Sequence, residues 1–120
     1  MHNPTLLDHF ANPRNAGDLA DATYTIQCEN PVCGDQLRLQ VLCDGESIQQ
    51  VAFRARGCTA SIATASALTE LLLATTRSNL STIRAPQIEA AVGGLIPESK
   101  HAAVLCQDAV KKLESLWTKS

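Results

Sequence analysis

The stretch Ile48-Gln49-Gln50-Val51-Ala52-Phe53-Arg54-Ala55-Arg56-Gly57-Cys58-Thr59-Ala60-Ser61 changes character in its middle. Ile48, Val51 and Phe53 mark a strand, with one irregular interval that fits a bulge. Beyond Gly57 an Ala/Thr/Ser/Leu segment, residues 60–75, reads as a helix. It is apolar nearly all round at its far end, so it is expected to be well buried. A cysteine that opens a helix meets unpaired N–H groups and the positive end of the helix dipole. Such surroundings lower a thiol pKa and favour the thiolate, which binds metals and attacks sulfur.

Upstream, residues 22–28 read as a first strand. Residues 36–43 form a second, with Leu37, Leu39, Val41 and Cys43 alternating with Gln36, Arg38 and Gln40. Asp44-Gly45 signals a hairpin into the third strand. Residues 4–10 read as a short helix capped by Asn3, with Leu6, Leu7 and Phe10 on its apolar side. After the central helix come two short helical pieces, 78–84 and 86–92, the second stopped by Gly93-Gly94. A last helix runs from Ser99 to Trp117, with Ala102, Leu105, Cys106, Ala109, Val110, Leu113, Leu116 and Trp117 as its apolar face. The expected class is α+β, a three-stranded antiparallel sheet with about four to five helices packed on it, as a single domain over residues 1–120.

Composition removes several classes of function. The formal net charge of −2 leaves no electrostatic footprint for nucleic acid. No apolar run approaches the roughly 20 residues of a membrane span, and the N-terminus lacks an export signal. A cytoplasmic protein is expected. Five cysteines, an odd number, then point to metal or thiol chemistry more than to a disulfide framework.

The candidate ligands are Cys33, Asp35, Cys58 and His101, with Cys106 just beyond. Cys33-Gly34-Asp35 sets a thiol and a carboxylate two apart, on one side of an extended chain. His101 opens the last helix. Four such donors suit tetrahedral zinc, and also suit a [2Fe–2S] cluster with two ligands per iron. Carboxylate matches iron in a sulfide cluster less well than thiolate does, which favours a cluster that can be released. Taken singly, each residue has a plainer reading as a turn, a helix cap or a buried thiol.

Together, several pieces make the chain resemble the IscU/NifU-type iron–sulfur cluster assembly scaffolds. They are Leu7-Asp8-His9-Phe10-Ala11-Asn12-Pro13-Arg14-Asn15-Ala16-Gly17, Cys33-Gly34-Asp35, Arg56-Gly57-Cys58 with Ala60-Ser61 and Ala65-Ser66, and His101 followed by Asp108-Ala109-Val110-Lys111. The resemblance implies a three-stranded antiparallel sheet with helices and a transient [2Fe–2S] cluster. Its sulfur would come from a cysteine desulfurase and its destination would be apo iron–sulfur proteins. Zinc is implied when no cluster is bound. Cys33, Asp35 and Cys58 are the implied ligands, with His101 as a fourth candidate.

Two places depart from the family pattern. The cysteine that ordinarily follows the late histidine is Ala102 here, and Cys106 lies one helical turn on. Cys106 is either a displaced ligand and sulfur acceptor or a core residue; in the second case sulfur acceptance falls to Cys33 or Cys58. Ile96-Pro97-Glu98-Ser99-Lys100 keeps only the first Pro and the final Lys of the family's Leu-Pro-Pro-Val-Lys segment, so dependence on an Hsp70-type chaperone is doubtful. The interval from Cys58 to His101 lacks the insertion of the zinc-bound SufU branch. Arg54, Arg56 and Lys100 either support an anionic site or are solvated charges. The leading expectation is a scaffold and carrier, not an enzyme. The alternatives are a zinc-bound sulfurtransferase that accepts persulfide sulfur and a structural zinc module that binds partners.

Overall fold

The computed structural model describes residues 2–32 and 34–118. The sheet is built from β1 (Tyr24–Glu29), β2 (Gln36–Asp44) and β3 (Ser47–Arg56), antiparallel and in the order β1-β2-β3. The β2–β3 ladder closes at Asp44↔Ser47, where the hairpin was expected. Opposite Cys43 and Leu42 stand Ile48 and Gln50, so Gln49 is an extra residue in β3. This bulge is the irregular interval seen in the sequence. It returns Ile48 to the face that carries Val51 and Phe53, and all three are buried.

Four α-helices lie among the described residues: α1 (Pro4–Ala11), α2 (Thr59–Leu73), α3 (Ala85–Ala91) and α4 (Lys100–Thr118). Short 3₁₀ turns occupy Arg77–Thr82 and Pro97–Ser99, the first in place of an expected helix over 78–84. The α2 helix packs on β3 and is flanked by α1, α3 and α4, which is why so many of its residues are buried. Leu68 and Leu72 are fully enclosed there, and truncating either to Ala would cost about 2–5 kcal/mol. The α4 helix lies against β1, β2, α2 and α3, and its Ala102, Leu105, Cys106, Ala109, Val110 and Leu113 are buried. Leu116, expected on that face, is instead 43% exposed. No helix among the described residues is long and apolar enough to cross a membrane.

The inward face of α1 differs from its expected one. Leu6 and His9 point inward, while Leu7 and Phe10 are partly exposed. The cause is polar. Ser66 on α2 accepts the Arg14 N–H at 2.8 Å, and its hydroxyl is hydrogen-bonded to His9 Nδ1, also at 2.8 Å. His9 Nε2 then faces Glu70 at 3.4 Å. Asn15 donates to Thr69 Oγ1 at 2.9 Å, again on α2. The segment so anchored runs parallel to β3, with Gly17 N–H donating to Phe53 O and Phe53 N–H donating to Asn15 O. It covers an edge that would otherwise be open to another chain.

Candidate metal centre

The end of the sheet where β2 begins and β3 finishes is also where α2 and α4 start. Asp35 directly precedes β2, Cys58 caps α2, and His101 is in the first turn of α4. One donor atom from each of the three lies within 4.8 Å of the others. His101 Nε2 is 3.0 Å from Asp35 Oδ2 and 3.8 Å from Cys58 Sγ. Asp35 is 5% exposed, whereas Cys58 is open to solvent. A buried carboxylate and an accessible sulfur thus face one imidazole.

Gly57 makes this approach possible. Its φ of +149° is one that side-chain-bearing residues rarely adopt, and a Cβ there would stand 2.5 Å from Asp35 Oδ1. Ser61, in the first turn of α2, donates its hydroxyl to Asp35 Oδ2 at 2.5 Å and lies 3.2 Å from Cys58 Sγ. Burial pushes the Cys58 thiol up. The polar neighbours of the sulfur, led by the Ser61 hydroxyl and followed by the Ser61 N–H, His101 and the Ala60 N–H, outweigh that effect, and the thiol ends below its ordinary value. The environment expected for a cysteine at a helix start is therefore present.

The other expected site residues divide. Cys33 lies outside the described residues. Its loop is closed by Gly34 N–H donating to Asn30 O and Asn30 N–H donating to Asp35 O, and Val32 there is 95% exposed. Cys106 is not brought to the triad. It is 1% exposed within the core, and burial, with a smaller contribution from Cys28, pushes its thiol up to about 12. Of the two places open to Cys106, the structure shows it in the core, where a thiol without solvent or a cationic partner stays protonated. Cys28 and Cys43 are likewise raised, chiefly by burial. Arg54 pairs with Asp18 and Lys100 with Glu89, so neither is spent on the triad. A groove of about 780 Å³, lined by Cys28, Arg38, Arg54, Arg56 and Lys112 among others, includes none of the three donors. Sequence reasoning did not find the Ser61 contact, because a serine in an Ala-rich helix start reads as a small packing residue.

The model of the NifU-like N terminal domain matches residues 1–116. The chain belongs to that family. It is 34% identical over 112 residues to the iron–sulfur cluster assembly scaffold protein IscU 1 of Archaeoglobus fulgidus, covering 93% of this chain and 73% of that protein. It is 36% identical over 72 residues to the zinc-dependent sulfurtransferase SufU of Bacillus subtilis, covering 60% and 48%. Among solved structures, a SUF-system protein of Fervidobacterium islandicum AW-1 superposes with a TM-score of 0.77 at 19% identity, over 92% of this chain and 94% of that one. The last shows the fold, and it agrees with the expected architecture. The chain spans between 25% and 74% of the length of the relatives it matches.

Proposed function

We propose that this NifU-like domain is a scaffold for assembly of a transient [2Fe–2S] cluster. In this reading iron and desulfurase-derived sulfur are assembled on it, and the cluster passes to apo-proteins. The observation that carries the reading is the convergence of Asp35, Cys58 and His101 within 4.8 Å at one end of the sheet. Thiolate, imidazole and carboxylate are a workable donor set for iron or zinc, and Cys33, two residues before Asp35, supplies the second thiol. The cluster is cargo. Cys33 and Cys58 hold it by strong iron–thiolate bonds, and Asp35 provides the weaker bond through which it leaves.

The test is anaerobic reconstitution with iron(II), cysteine, a cysteine desulfurase and a reductant, read by visible absorption and iron and sulfide analysis. A [2Fe–2S] spectrum is expected in the parent. Asp35→Ala should hold its cluster longer, and faster loss in that variant would contradict the exit role.

A second reading draws support from the lowered thiol of Cys58 and from the SufU relative. Here zinc is resident and Cys58 accepts sulfur. Its thiolate attacks the terminal sulfur of a desulfurase persulfide, a new S–S bond forms on Cys58, and the desulfurase thiolate leaves, with no net change of oxidation state. Zinc retained, sulfur accepted and no cluster reconstituted would select this reading over the first.

A further inference from the structure

We infer that Ser61 is a positioning residue for the metal ligands, holding the Asp35 carboxylate at the angle in which it meets Cys58 and His101. The inference rests on the proposed metal-binding reading of the site. Ser61 Oγ is 2.5 Å from Asp35 Oδ2 and 3.2 Å from Cys58 Sγ, and the same Oδ2 is 3.0 Å from His101 Nε2. One hydroxyl therefore touches two of the three donor groups, through the oxygen that faces the third.

The placement is fixed by the fold. Ser61 sits in the first turn of α2, 5% exposed, and its N–H donates to Cys58 O at 3.0 Å. The absent side chain of Gly57 opens the space through which the carboxylate reaches it. A hydroxyl carries one proton. It goes to the carboxylate, because the donation to Asp35 is the shorter contact and a carboxylate is the stronger acceptor. The carboxylate keeps further lone pairs for a metal, so the hydrogen bond and a metal bond coexist on one group. Outer contacts of this kind orient ligating groups, and their loss typically lowers metal affinity about 10–100-fold.

The experiment is a double-mutant cycle on zinc affinity, measured on the full chain by competition with a chromophoric chelator. The four proteins are the parent, Ser61→Ala, Asp35→Ala and the double variant. Far-UV circular dichroism and the thermal midpoint are recorded without metal, and Co²⁺ spectra report the ligand field. Ser61→Ala is expected to bind zinc about 10–100-fold more weakly, with shifted Co²⁺ d–d bands and an unchanged circular dichroism spectrum. In the Asp35→Ala background the same change should have little further effect, because the group it positions is gone. Zinc affinity in Ser61→Ala within twofold of the parent overturns the inference. So does an equal loss in both backgrounds, which would make Ser61 a residue of the fold only. Failure of the underlying reading looks different: Asp35→Ala would then bind zinc as the parent does, and the inference would fall with it.

Discussion

Gly57 and Cys58 show how far single residues set the chemistry. Any side chain at position 57 must pass through the space of the Asp35 carboxylate, at a backbone φ of +149°. Gly57→Ala is therefore expected to destabilise the fold by about 1–3 kcal/mol and to weaken zinc binding. Urea denaturation and chelator competition check this, and a variant equal to the parent in both would contradict the close approach. Cys58 makes a second prediction. Its thiol lies below the ordinary value while that of Cys106 is raised to about 12, so iodoacetamide near neutral pH should label Cys58 early and Cys106 only on unfolding. Mass spectrometry of a labelling time course reads the order, and early labelling of Cys106 would contradict its burial. Cys58, Asp35 and His101 were singled out in the sequence through the family motifs that carry them, and the structure brings the three together. The part Ser61 plays was not legible, since a hydroxyl's role depends on where a distant strand places its acceptor.

At the scale of elements, alternation and helical spacing located the three strands and the longer helices to within a few residues, and even the Gln49 bulge left its trace. The face of α1 was misread because periodicity counts only apolar residues, whereas His9 is drawn inward by Ser66 and Glu70. That buried imidazole makes the docking of α1 on α2 sensitive to acid. Burial lowers its pKa below the ordinary 6.5, and the Arg14 charge adds to this, against opposing effects of Glu70 and Asp8. Below that ordinary value the unfolded chain takes up a proton that the folded chain refuses, so unfolding gains from acidification. The stabilising contribution is complete above about pH 6.5 and is lost as pH falls toward the folded value. The thermal midpoint of the parent should fall more steeply between pH 7.5 and 5.5 than that of His9→Gln. Parallel curves for the two proteins would show that His9 is not the group responsible.

At the scale of the molecule, the two-layer arrangement explains both the site and the fate of the displaced cysteine. A sheet with helices on one face has ends where strands and helices start together, and side chains from distant sequence positions meet there without a long loop. Asp35 at the head of β2, Cys58 at the head of α2 and His101 at the head of α4 are three such starts. Cys106 is one turn farther into α4, and at that depth the helix already faces β1 and the core. Spacing along a helix could not decide between these fates, because the depth at which α4 enters the core, where Ala102 is already buried, is a tertiary fact. Replacing Cys106 should therefore act on stability and leave metal binding alone. Cys106→Ala removes a buried sulfur, and a loss of about 0.5–3 kcal/mol in unfolding free energy is expected. Reconstituted iron and sulfide per chain, and zinc affinity, should match the parent. A folded Cys106→Ala protein that no longer held either metal would return Cys106 to the ligand set and require α4 to unwind at its start when metal binds.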